Sequence, residues 1–141
     1  MQPGKEVDKS KWPRGEWNDE PDFEDWTDKS TGLACAIRRG IHGGHLCGYV
    51  GVPAGHRAFG ESGWESSVIR NLDVHCGVTF AQTLDDGLHW IGFDCAHLGD
   101  ATPAWGWTSD GFYKSIEFVR RQCADLAQQL ASLTNTVEDP Q

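Results

Sequence analysis

No apolar run in this chain approaches the roughly 18 residues that a membrane-crossing helix needs. The opening stretch has no apolar h-region, so no secretory signal is expected. There is no Cys-x-x-Cys pair, and the cysteine count, 5, is odd. Free thiols in a reducing cytoplasm fit that pattern better than a disulfide framework. The sequence contains no P-loop, no G-x-G-x-x-G, no H-E-x-x-H, no G-x-S-x-G and no EF-hand loop. These gaps remove the common triphosphatase, dehydrogenase, metalloprotease and esterase templates, though not an unusual hydrolase. Positive charge is scarce: 12 Lys and Arg face 21 Asp and Glu, for a net charge of -9. Such a balance argues against passive binding to nucleic acid or to an anionic membrane.

What is present is a chain of 141 residues with 38% hydrophobic and 23% charged content. That is the size and make-up of one soluble domain. Two counts stand out, 7 Trp and 17 Gly. Tryptophans anchor cores and also mark recognition surfaces.

Residues 1–11 read as a disordered start. Residues 12–30 read as an extended acidic arm, because Trp12, Trp17, Phe23 and Trp26 recur where a solvated tail would be poor in aromatics. Such an arm docks on its own domain or on a partner. A single domain over 31–133 follows, then a frayed polar tail over 134–141. Within the domain, 33–39 and 46–52 read as strands joined through Gly43-Gly44, a favoured turn dipeptide. Pro53 stops the second, and 53–70 is a long loop. Alternation of Val74, Cys76, Val78 and Phe80 predicts a strand over 72–80, and 88–95 predicts its partner, with a turn at Asp85-Asp86-Gly87 between them. Ile116, Val119, Cys123, Leu126, Ala127, Leu130 and Leu133 form one helical stripe, predicting a helix over 112–132 capped by Ser109 or Asp110. The fold class is therefore α+β: a small antiparallel sheet with one C-terminal amphipathic helix and an extended N-terminal arm.

The segment Trp90–Asp100 is richest in chemistry. Asp94, His97 and Asp100 can accept or relay protons where a strand runs into a loop, a common place for functional residues. A register pairing Gly77 with Trp90 would set His75 opposite Gly92 and diagonal to Asp94. His75, Asp94, His97 and Asp100 would then line one polar pocket walled by Trp90, with Thr79 on the same strand. As an enzyme the catalytic set is these four; as a binder the set is His56, His75, Thr79, Trp90, His97 and Asp100. His56 serves as a lid residue or is simply solvated. His42 and His45 read as exposed hairpin residues, and no metal is assigned. Cys35, Cys47, Cys76 and Cys123 read as small core residues, leaving Cys95 as the thiol placed for reactivity. No cofactor is specified.

Several segments resemble a family of small bacteriophage and prophage proteins, notably of actinobacteria. They are Gly32–Cys35, Cys47-Gly48-Tyr49-Val50-Gly51-Val52-Pro53-Ala54-Gly55-His56, His75-Cys76-Gly77-Val78-Thr79-Phe80 and Trp90-Ile91-Gly92-Phe93-Asp94-Cys95-Ala96-His97-Leu98-Gly99-Asp100. The arm, Gly15–Asp22 with Trp26, is similar to that family's opening, so the resemblance spans roughly 15–131. It implies a phage or prophage origin and a host-cytoplasm location, and it supplies no reaction. The family usually shows Gly after the strand histidine, where this chain has Cys76; His42 and His45 lie outside its motif. Membership of the arm in the family pattern favours a docked arm whose acids meet Arg38, Arg39 or Arg70.

Three functions are expected to compete. The first is an accessory protein that binds a small, nucleotide-derived ligand, with Trp90 or Trp64 stacking, to counter host defence. The second is a small phosphodiester or nucleotide hydrolase using His and Asp, with or without metal. The third is a protein-binding inhibitor of a host machine that acts through the acidic arm.

Overall fold

A computed structural model describes residues 1–97, 99–105 and 112–133. The expected cap residues Ser109 and Asp110, the loop residue Trp107 and the tail 134–141 lie outside the described residues. The fold is α+β: five antiparallel strands in the order β1-β2-β3-β5-β4 with a helix packed on one face. The strands are β1 (Phe23–Thr27), β2 (Ala34–Arg39), β3 (Leu46–Val52), β4 (Phe80–Thr83) and β5 (His89–Asp94). A one-turn helix α1 (Ser67–Arg70) lies in the long loop, and α2 (Ile116–Leu133) is the packed helix.

The hairpin β2–β3 follows from its turn chemistry. Gly44 adopts φ 85, a left-handed conformation cheap only for glycine. Pairing then places Cys35 opposite Val50 and Ile37 opposite Gly48, and β3 pairs β5 with Gly48 opposite Phe93 and Val50 opposite Ile91. These residues share one face, against which α2 buries Ile116, Val119, Cys123, Leu126, Ala127 and Leu130. Gly48 is where helix and sheet come closest. A Cβ there would stand 2.5 Å from the Phe93 ring and 2.8 Å from the Cys123 sulfur. Gly48→Ala is expected to cost about 1–3 kcal/mol through overpacking, read as a lowered thermal midpoint.

The arm is part of this architecture. Residues 23–27 form the edge strand β1, so the sheet begins inside the segment expected to be an extended arm. Residues 1–11, expected as a disordered start, instead dock on the domain. The Met1 ammonium meets Asp86, the Gln2 carbonyl accepts from Arg38 at 2.8 Å, and Gly4 abuts the Phe23 ring. The Val7 N–H donates to Asp22 at 2.7 Å. Backbone amides and charges answered one by one hold the segment despite its polar composition. Trp12 packs on the turn at Gly44, Trp17 meets Tyr113 edge-on at 5.1 Å, and Trp26 packs against the core.

Two expectations are corrected. The helix starts at Ile116 rather than 112: Ser115 caps it, its Oγ accepting from the Phe118 N–H, while Phe112 bridges to Asp100 in extended form. The strand expected over 72–80 is largely a turn-bearing loop. Cys76 (φ 57) and Gly77 (φ 88) reverse the chain, with the Gly77 N–H bonded to the Val74 carbonyl. Only Val74 of the expected inward set is fully buried, and Cys76 is exposed. Strand β4 therefore begins at Phe80 and pairs Phe80 with Gly92 and Gln82 with Trp90, not Gly77 with Trp90.

Candidate functional site: a histidine–aspartate–lysine cluster

Although the register differs, four of the expected residues still converge, by another route. Strand β5 delivers Asp94 at its end, and the loop beyond turns back through His97 and Asp100, where the Asp100 N–H donates to the His97 carbonyl at 2.9 Å. His75 comes from the loop before β4, held by helix side chains instead of strand pairing. Its N–H donates to Gln122 Oε1 at 2.8 Å, and Gln129 bonds both the N–H and the carbonyl of Asp73. Two amides of α2 thus do for residues 73–75 what a neighbouring strand would do.

Asp100 is the hub. Its side chain is 2% exposed and lies 3.0 and 3.1 Å from His75 Nε2 and 3.0 Å from Lys114 Nζ. It also accepts the His97 backbone N–H at 3.0 Å. Burial pushes the carboxyl up, but the donors from His75, the His97 amide and Lys114 outweigh it and hold Asp100 below the usual carboxylate range. With Nε2 of His75 turned to the carboxylate, Nδ1 is left for another partner. The ring stands edge-on to Phe118 at 5.3 Å and to His97 at 6.1 Å.

Asp94 and His97 make the second pair, Oδ1 to Nε2 at 3.1 Å, with both side chains partly exposed. The contact lacks hydrogen-bond geometry, so among the described residues the buried His97 Nε2 has no hydrogen-bond partner. His45 joins them. The pairing of Cys47 with Asp94 carries the residue two positions before Cys47 past the end of β5. Burial lowers the affinity of its ring for a proton, against the pull of Asp94 and Asp100, and its Nδ1 is likewise buried and unpartnered. Lys114 donates to the Phe112 carbonyl at 3.1 Å and sits 5.9 Å from the Phe112 ring centre. Phe112 itself is 74% exposed beside Asp100.

The remaining expected residues lie elsewhere. Trp90 does not wall this cluster; it lies four residues back along β5 from Asp94, its indole over Gly51 and its Nε1 donating to Asp86 at 3.0 Å. His56 is neither lid nor solvated. It is buried, donating through Nε2 to the Leu130 carbonyl at 2.9 Å and accepting the Ala58 N–H on Nδ1, so it ties the long loop to α2. Thr79 spends its N–H on the Gly92 carbonyl and lines a different cavity. Cys95, the thiol expected to be reactive, is buried, and burial pushes its ionisation up. Cys76 lies 3.8 Å from His75 Nε2, but burial and the nearby Asp100 and Asp94 also raise its thiol. Neither is an activated thiolate. Among the described residues, no three His, Cys, Asp or Glu side chains are grouped to hold a metal ion.

Sequence reasoning missed His45 and Lys114. A histidine beside a Gly-Gly turn carries no local signal of burial, and only the β3–β5 pairing reveals its place. Lys114 follows the expected start of the helix and reads as a solvated first-turn residue. Chemically, the cluster offers an imidazole oriented by a carboxylate, two further imidazoles with unspent nitrogens, and an ammonium. That set can bind an anionic polar group or move a proton to or from one. No protein-family model matches the chain, and no curated protein or solved structure matches it.

Proposed function

We propose that the protein binds a small, anionic, nucleotide-derived ligand at the cluster of His45, His75, Asp94, His97, Asp100 and Lys114. The observation that carries this reading is two buried ring nitrogens that find no hydrogen-bond partner among the described residues, His45 Nδ1 and His97 Nε2, the latter within ion-pair distance of Asp94. A buried polar atom left unmade costs on the order of 1–3 kcal/mol, and a ligand that bonds it recovers that cost. Lys114 supplies positive charge, and exposed Phe112 offers the aromatic surface that Trp90 does not. The resemblance of the WIGFDCAHLGD and CGYVGVPAGH segments to phage proteins supplies the setting: an accessory protein in the host cytoplasm that sequesters a nucleotide signal of host defence.

Calorimetric titration with cyclic nucleotides and ADP-ribose-type compounds tests the reading. Saturable binding by at least one is expected, weakened at least about tenfold in His97→Ala, the size of one lost hydrogen bond to a charged group. No heat and no thermal shift with any of them would sink it.

A second reading, a small phosphodiester or nucleotide hydrolase, draws on one further observation. His75 is oriented by Asp100 while a second imidazole, His97, lies 6.1 Å away, so one ring can accept a proton as the other donates. Its mark is turnover that persists in EDTA and falls in His97→Ala. The arm as the recognition element of a host-protein inhibitor has less support. Glu20 reaches the Ile116 N–H, Asp22 pairs Arg39 and Lys9, and Glu24 pairs Arg120, so these three acids are spent within the chain.

A further inference from the structure

A separate cavity of about 430 Å³ opens beside the edge strand β4, between the long loop and the turn at Gly77. Its volume falls in the range of small-molecule sites, roughly 300–1,000 Å³. Ile69, Leu72, Val78 and Phe80 give it apolar walls, and Trp64 and Arg70 stand with them. Thr79, expected from the sequence to touch ligand, lines this cavity.

Two features of Trp64 and Arg70 need explaining. Trp64 is 74% exposed, yet its loop is held in place. Arg70 Nη1 donates to the Trp64 carbonyl at 2.7 Å, the Ser66 N–H bonds the Gly63 carbonyl, and the Ser66 hydroxyl donates to Glu61 at 2.7 Å while capping α1. A large apolar ring kept out in water on an anchored loop is the arrangement of a recognition surface, not of a core. Arg70 is the second oddity. In a chain with net charge -9, Arg38, Arg39 and Arg120 are each answered by a carboxylate, whereas Arg70 is the arginine that lines this cavity. Among the described residues Arg70 meets no carboxylate, and its hydrogen bond goes to the neutral Trp64 carbonyl. A guanidinium in that state accepts a carboxylate or phosphate in a fork of parallel bonds.

We propose that this cavity is a second ligand site, for a compound with a flat aromatic ring and an anionic group, the ring against the Trp64 indole and the anion on the Arg70 guanidinium. The apolar walls exclude water from the ring, and the anchored loop lowers the ordering cost of binding. The anion can be a carboxylate or a phosphate. The site stands apart from the histidine cluster and does not depend on what that cluster binds.

Indole-3-acetate and adenosine 5′-monophosphate represent the two sources, with indole and adenosine as uncharged controls, all followed by calorimetry. At least one acid is expected to bind saturably, and its uncharged control at least about tenfold more weakly. Trp64→Ala and Arg70→Gln should each weaken binding of indole-3-acetate by about tenfold or more, Trp64→Phe should retain it, and His97→Ala should leave this Trp64- and Arg70-dependent binding unchanged. Both side chains are exposed, so unchanged thermal midpoints are expected to show that the variants fold. The proposal is overturned if neither acid binds, if the uncharged ring binds equally well, or if binding survives loss of Trp64 and Arg70 and fails with His97.

Discussion

Asp22→Ala should be the most damaging single substitution outside the apolar core, costing about 3–5 kcal/mol of folding stability. Asp22 and Arg39 are both fully buried at the side chain, with Arg39 Nε 2.7 Å from Asp22 Oδ1. Arg39 reaches on to the Gly44 carbonyl at 2.8 Å, the Tyr113 hydroxyl at 2.9 Å and Glu20 at 3.3 Å. Removing the carboxylate leaves a buried guanidinium short of its counter-charge, and that is why breaking such a pair costs more than the pair contributes. The Val7 N–H and the Lys9 ammonium lose their anchor as well. The start of the chain should therefore lose amide-exchange protection together with global stability. Urea denaturation and hydrogen exchange read the two effects separately; full stability with a released arm would contradict this account.

The same carboxylate predicts an acid limit. Burial pushes Asp22 up, but Lys9, the Val7 amide and Arg39 outweigh it and hold its folded value below that of an ordinary aspartate. Stability from a depressed carboxyl is complete above the unfolded value, near about 3.9, and is lost as pH falls through the folded value. Wild-type stability should fall below about pH 4, and that part of the slope should be missing in Asp22→Ala.

Asp100→Asn carries the second large effect, on the site. The substitution keeps the size but removes the charge that answers Lys114 and turns one acceptor oxygen into a donor facing His75, Lys114 and the His97 amide. A loss of about 1–3 kcal/mol in stability is expected from unmade buried hydrogen bonds. Ligand affinity should fall at least about tenfold, because His75 is no longer held in one tautomer and orientation. Asp94→Asn serves as the comparison. Its carboxylate is 28% exposed and solvated, so the stability change should be much smaller. If Asp100→Asn binds as wild type while His97→Ala does not, Asp100 is a structural residue only.

Local pattern made some of this legible and tertiary contact made the rest. The hairpin through Gly43-Gly44 ends on the residues expected, Leu46–Val52, because turn chemistry and a proline stop fix it locally. The stripe of α2 buries Ile116, Val119, Cys123, Leu126, Ala127 and Leu130 as its period requires. Strand β1 was hidden because Glu24 and Asp25 fill it with charge, a common way to blunt an edge strand. Strand β4 was misplaced because a cysteine at φ 57 gives no sign in the sequence that the chain turns there. Within the site, Asp94, His97 and Asp100 are near neighbours in the chain and could be grouped on sight. His45 and Lys114 arrive from distant segments, and Trp90 left the group because His75 lies before β4 and does not pair beside it.

The contacts of the arm also bear on the order in which the molecule assembles. Glu20 bonds the Ile116 N–H and Glu24 bonds Arg120, each across 96 residues. Loop closure over such spans slows folding and delays these contacts until the intervening chain has collapsed. On the ribosome, Glu20 and Glu24 emerge well before α2 and wait for it before these two bonds can form. These two bonds therefore act as a late latch on an arm whose strand β1 pairs with the nearby β2, and a nascent chain halted before α2 would leave Glu20 and Glu24 without these partners.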